Sequence, residues 1–124
     1  MNQQSNMRDK LRTRTKQFAL RIIRLWRTLP KQDDAQVIGK QLLRCGTSVG
    51  ANYRAACLAK SGKDFLNKLR ISQEEADESC YWIELLIESE LFPASKLNAL
   101  LDEAQQLTAI MTAAAKTTSR QYYD

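Results

Sequence analysis

Through most of this 124-residue chain, apolar residues recur three and four positions apart, and that rhythm stops at only a few places. Such spacing lines one side of an α-helix with core-facing side chains. The first break is Pro30 with Lys31-Gln32-Asp33-Asp34, the second is Ser61-Gly62 and the third is Leu91-Phe92-Pro93. Four Gly and two Pro in the whole chain leave little else to interrupt a helix, and the prevalence of Ala, Leu, Lys, Glu, Gln and Arg favours helices over strands. The spacing predicts an all-α fold, with helices over about 9–29, 34–60, 63–90 and 93–119 joined by short turns into an antiparallel up-down-up-down four-helix bundle. Residues 1–8 read as a disordered N-terminal tail, 9–119 as one bundle domain and 120–124 as a C-terminal tail.

Each segment names its own core face. Leu11, Phe18, Ile22, Leu25, Trp26 and Leu29 align on the first, leaving Leu20 and Ile23 off the stripe as weak pointers to a subunit contact. On the second, Ile38, Leu42, Cys45, Val49 and Ala56 align, with Asp33 or Asp34 as cap. Gly39, Gly46 and Gly50 each cost about 1 kcal/mol relative to Ala inside a helix, so they ask for a reason. Close approach of a neighbouring backbone is the simplest, and a bend near Gly46 to Gly50 is another. Ser61-x-x-Asp64 has the form of a capping box for the third helix, whose face is Phe65, Leu69, Ala76, Ile83 and Ile87. Pro93 suits the first turn of the fourth, whose face is Leu97, Leu101, Ala104, Thr108, Met111 and Ala115.

Composition removes several functions. There is no His, which takes away the usual general base, the usual activator of a nucleophile and the commonest metal ligand. Cys45, Cys57 and Cys80 are odd in number, widely spaced and set among apolar residues, which favours reduced core thiols over disulfides or a metal site. No run of about 18 apolar residues and no signal-peptide segment is present, so the expected location is the cytoplasm, away from membranes. No cofactor and no small-molecule substrate is expected.

Charge is unevenly spread. Residues 1–31 carry nine Lys or Arg against Asp9 alone, while the remainder carries more acids than bases although the whole chain is +5. Arg12, Arg14, Lys16, Arg21, Arg24 and Arg27 surround the first helix, lacking the Glu partners four residues away that a merely solvated helix carries. They are the candidate nucleic-acid-binding residues. With no aromatic platform, glycine-rich phosphate loop or base-reading motif, contact with RNA or DNA would be mainly with phosphates and weakly sequence-specific. The alternative is a protein-interaction scaffold whose same face docks an acidic partner. A basic amphipathic helix lying on anionic lipid is a poorer fit, because the bundle core needs its apolar stripe.

A polar ridge also runs beside the core. Arg44, Ser48 and Asn52 recur every four residues on the second helix, and Glu75, Glu78 and Trp82 could answer it from the third. A buried structural network that fixes helix register is the favoured reading, and breaking one buried pair would cost about 3–5 kcal/mol. The enzymatic alternative is a Mg²⁺-dependent nucleotide hydrolase using Glu75-x-x-Glu78. The matching Glu-x-x-Asp that such helical pyrophosphohydrolases need on the next segment is missing.

Three stretches together resemble a known family: Leu43-Arg-Cys-Gly-Thr-Ser-Val-Gly-Ala-Asn-Tyr-Arg-Ala55, Ser61-x-x-Asp64-Phe65 and Glu74-Glu-Ala-Asp-Glu-Ser-x-Tyr-Trp-Ile-Glu-Leu-Leu86. Over about residues 16–118 the chain is similar to bacterial four-helix bundle proteins encoded in intervening sequences of large-subunit (23S) ribosomal RNA genes. The accessory proteins of diversity-generating retroelements look like relatives. The resemblance implies a homo-oligomeric ring, commonly a pentamer, with a basic surface for nucleic acid and no established enzymatic activity. It also implies Arg44, Ser48, Asn52, Arg54, Glu75, Glu78 and Trp82 as signature positions, structural as much as functional.

Overall fold

The computed structural model describes residues 3–123. They form α1 (Gln3–Thr28), α2 (Asp33–Cys57), α3 (Gly62–Glu88) and α4 (Asn98–Tyr123), with a 3-10 turn at Ala94–Lys96 ahead of α4. No strand occurs among the described residues. Contacts between helices fix the topology. Trp26 meets Gly39 and Thr15 meets Gly50, Ser79 meets Cys45 and Ser72 meets Val49, and Cys80 meets Thr108 while Gln73 meets Thr112. In every pair the early part of one helix faces the late part of the next, so the expected antiparallel four-helix bundle is what forms. Sequence neighbours pack most closely, and α1 and α4 close the ring along the sparsest seam.

Several boundaries differ from those expected. Gln3 to Arg8 are helical and not tail, because no Gly or Pro interrupts them and the Arg8 guanidinium lies 4.9 Å from the centre of the Phe65 ring, tying this end to α3. Met1, Asn2 and Asp124, the outermost parts of the expected tails, lie outside the described residues. Asp34 Oδ1 accepts from the Ala35 N–H at 2.9 Å, one of the free donors of α2, but neither Asp33 nor Asp34 stands at the N-cap of that helix. Gln32 holds that position without a side-chain bond, and both aspartates fall in the first turn, where carboxylates favour the free N–H groups. At α3 the Ser61 half of the capping box forms, Ser61 Oγ accepting from the Asp64 N–H at 3.1 Å.

Two other ends fall short or run over. α3 stops at Glu88 because Glu90 turns left-handed at φ 61°. There Leu91 N–H donates to Leu86 O at 3.2 Å and Glu90 N–H to Ile87 O at 3.0 Å, a Schellman closure that satisfies the last carbonyls. α4 begins later than expected, after Pro93 and the 3-10 turn, yet continues to Tyr123. Its end is held by the Tyr122 ring, which occupies the space a side chain at Gly62 would need, and by Lys63 Nζ, 5.5 Å from the centre of the Tyr123 ring.

The glycines of α2 have the reason the sequence asked for. A methyl on Gly39 would lie 2.5 Å from Leu29 Cδ1, one on Gly46 would lie 2.8 Å from Ile22 Cγ1, and one on Gly50 would lie 3.3 Å from the Thr15 backbone carbonyl carbon. The seam with α1 is therefore close-packed along the length of both helices. Inward of it, Phe18, Ile22, Leu42, Val49, Leu69, Ile83, Leu107 and Met111 are fully buried. Leu66, Leu86, Leu100 and Leu107 are buried beyond the expected faces, whereas Leu25, Trp26, Ile38, Phe65, Ile87 and Leu101 reach the core only in part. Ser72 is buried too, and its hydroxyl donates to Val49 O at 2.7 Å, so the polar atom carries its own partner.

Candidate functional site

The polar ridge separates into three unlike parts. Arg44, Glu75, Glu78 and Trp82 come together across the α2/α3 seam. Arg44 Nη1 donates to Glu75 Oε2 at 3.3 Å and Nη2 to Glu78 Oε2, which also accepts from Trp82 Nε1 at 3.0 Å. Arg44 Nε reaches Gln41 Oε1 on its own helix at 3.3 Å. Ser48 and Asn52 do not join. Ser48 Oγ donates to Arg44 O at 2.7 Å and Asn52 Nδ2 to Ser48 O at 2.9 Å, so both bond back to their own helix. Arg54 points to the opposite flank of α2, beside α1.

Nor is the cluster buried. The Arg44 side chain is 50% exposed and that of Glu78 37%. The larger cost expected for a buried pair does not apply, and each ion pair is worth about 1 kcal/mol or less. Beneath it, Cys45 is fully buried, with Ser79 Oγ 3.3 Å from its sulfur. Burial pushes the Cys45 thiol from its usual value of 9.0 up to about 11, against the lowering effect of the Ser79 hydrogen bond. Cys45 Sγ and carboxylate oxygens of Glu75 and Glu78 lie within 4.8 Å of one another. The donor set suits no metal: the thiol resists ionising, and Arg44 already places a positive charge between the carboxylates. Those same carboxylates are the ones a Mg²⁺-dependent hydrolase would use, and nothing in their surroundings points to that chemistry.

The basic helix also divides. Arg14 is tied to α4: its Nε and Nη2 donate to the two oxygens of Glu103 at 3.2 and 2.6 Å, and Nη2 also reaches Gln106 Oε1 at 3.2 Å. The Glu103 hydrogen bond raises the Arg14 pKa above its usual value, so this cation serves the sparse α1/α4 seam. Ion pairs among the described residues are those of Arg14 with Glu103 and of Arg44 with Glu75 and Glu78. Arg12 and Lys16, both exposed, line a groove of about 580 Å³ between α1 and α2, facing Arg54. Arg21 and Arg24 line a smaller cleft of about 300 Å³ beside Phe92 and Lys96. Arg27 is exposed and lies in neither.

Sequence reasoning missed the placement of Arg54 and Lys96. For Arg54 a signal existed. It stands four residues after Gly50, hence on the glycine side of α2, and the glycines mark the flank that faces α1. For Lys96 there was none, because only the 3-10 turn brings it beside α1.

On the far side of the bundle the sign reverses. No Lys or Arg occurs between Arg70 and Lys96, while Glu74, Glu75, Asp77, Glu78, Glu84, Glu88 and Glu90 do. α3 packs against α2 and α4, which places it diagonally across from α1.

Fold and site together define an all-α bundle with one cationic corner helix and one acidic one. Residues 9–113 match the 23S rRNA-intervening sequence protein family, and the chain belongs to it. A solved structure from Bacteroides thetaiotaomicron, described as a protein with unknown function from the S23 ribosomal protein family, is 35% identical with a TM-score of 0.81. The match covers 88% of this chain and 97% of that one. No curated protein matches the chain. No helix among the described residues is long and apolar enough to cross a membrane.

Proposed function

We propose that the chain is a non-enzymatic, self-associating bundle of the cytoplasm that holds RNA or DNA by its phosphates along α1. One observation carries this reading. Arg12, Lys16, Arg21, Arg24 and Arg27 share a helix and have no carboxylate within ion-pair distance among the described residues, so their charge is available to an outside polyanion. Leu20 and Ile23, which the bundle leaves half-buried, support self-association. In the ring of five that the family resemblance implies, several copies would present α1 to one strand, and weak contacts would add through multivalency.

Anisotropy of labelled structured RNA and duplex DNA, from low to physiological salt, tests the reading against an Arg21→Gln/Arg24→Gln/Arg27→Gln variant. Expected are log-linear weakening with salt and a large loss of affinity in the variant. Absence of binding at low salt, by protein shown to be folded and oligomeric, overturns it and favours an acidic protein partner for the same face.

A further inference from the structure

Two grooves that gather cations without an ion pair among the described residues differ in shape. The α1/α4 cleft is small and flanked by Phe92 and Leu100, and its Arg21 and Arg24 belong to the general basic face. The α1/α2 groove is nearly twice as large, with Arg12 and Lys16 on one wall, Arg54 on the other, and Ala19, Gly50 and Ala51 between them. It is a trough for a local reason. Gly50 lets α2 approach the Thr15 backbone, and the short side chains at 19 and 51 leave the space above that contact unfilled.

Walls and floor together select among polyanions. Helices packed this closely have axes about 8–10 Å apart, much less than the width of a whole duplex, since in B-form DNA the major groove alone is about 12 Å wide. A double helix can rest on the rims of such a trough without entering it. A single strand can lie along it with phosphates contacted from both sides. Arg12 and Lys16 are one helical turn apart, about 6 Å along the axis, and Arg54 closes on the same strand from α2. Without an aromatic side chain in the lining there is no platform for stacking, so the bases would face outward and the site would be indifferent to sequence. Asp9 also lines the groove and opposes an anion there.

We propose that the α1/α2 groove binds the sugar-phosphate backbone of unpaired, single-stranded RNA or DNA, with Arg12, Lys16 and Arg54 as its phosphate contacts. The proposal rests on the nucleic-acid reading above and narrows it to one strand form and one groove. It gives Arg54 a binding role and gives none to Arg14, which is held by Glu103.

The test compares a labelled unstructured oligouridylate with an RNA duplex of equal length, over a range of salt, using the full chain. Four variants are needed: Arg12→Gln/Lys16→Gln/Arg54→Gln, Arg21→Gln/Arg24→Gln/Lys96→Gln, Ala51→Leu, which fills the trough and leaves every charge in place, and Asp9→Asn, which removes a carboxylate from the lining. The groove triple should weaken single-strand binding about tenfold or more and lower its salt slope by about 2, near 0.7 for each lost phosphate contact. Duplex binding should change less. Ala51→Leu should weaken single-strand binding alone, and Asp9→Asn should tighten it. Were the groove triple not to fold, these last two single changes, both at exposed positions, decide the matter.

Single-strand affinity unchanged in both the groove triple and Ala51→Leu, with the loss confined to the Arg21/Arg24/Lys96 variant, overturns the groove and leaves the wider reading standing. Equal losses for single strand and duplex likewise overturn it. A wild-type chain that binds neither form overturns both.

Discussion

Arg44 and Arg54 stand on the same helix and meet opposite fates. Arg44 leaves α2 on the flank toward α3, where Glu75 and Glu78 take its guanidinium. Arg54 leaves on the flank toward α1, whose nearest charged groups in the shared groove are Arg12, Lys16 and Asp9. Nothing in the residue type separates them. What decides whether an arginine holds the bundle together or stays available is the charge on the helix it turns toward, and in this chain α1 and α3 carry opposite signs.

The sharpest way to break this comparison is to reverse both charges. Arg44→Glu places a third carboxylate against Glu75 and Glu78, and urea denaturation should show a loss of about 2 kcal/mol, combining lost attraction with new repulsion. Arg54→Glu should leave the melting temperature near that of wild type while weakening polyanion binding. Equal destabilisation by the two would mean that Arg54 has a structural partner in solution. A smaller effect is the coupling between Arg44→Gln and Glu78→Gln: a double-mutant cycle should return about 1 kcal/mol or less, as for a half-exposed pair. A coupling near 3 kcal/mol would mean that the cluster is shielded from water, as it would be at a subunit interface.

Arg14 is the intermediate case, a cation of α1 that has found an acid. Arg14→Gln should cost about 0.5–1 kcal/mol in chemical denaturation and leave nucleic-acid affinity almost unchanged, the reverse of the outcome for Arg12→Gln. The last prediction concerns the thiol under the Arg44 cluster. Cys45 is raised in the folded state from about 9 to about 11, so folding favours its neutral form. That contribution is complete below pH 9 and is lost as pH rises toward 11. Stability should therefore decline over that window, and Cys45→Ala should flatten part of the decline. Cys80 and Tyr53, also pushed up by burial, leave a residual slope. An identical slope in wild type and variant would rule out the Cys45 contribution.

Four helices were legible because their signals are local: apolar spacing, three turn-forming breaks and a capping box at Ser61. The glycines were legible as well, since their cost called for a close neighbour and α1 supplies one. The ends were less so. The extension of α1 rests on a contact between Arg8 and Phe65, residues far apart in sequence, and the early stop of α3 on a left-handed Glu90, a conformation the sequence does not advertise without Gly. The polar ridge was half legible. Residues four apart drift by about 40° on a helix, so Ser48 and Asn52 turn away from the acids and bond to their own carbonyls, and Arg54 comes round to the other flank. Which flank meets which helix depends on packing, and helical periodicity alone does not supply it.

The placement of α1 and α3 at opposite corners has an electrical consequence. With cations gathered on one and carboxylates on the other, the bundle has a permanent moment directed across its short axis, added to whatever its net charge contributes. A polyelectrolyte at a distance would exert a torque on it as well as a pull. The molecule would rotate during its approach and present one corner before any side chain touched, and a neutral solute of the same shape would arrive facing any way.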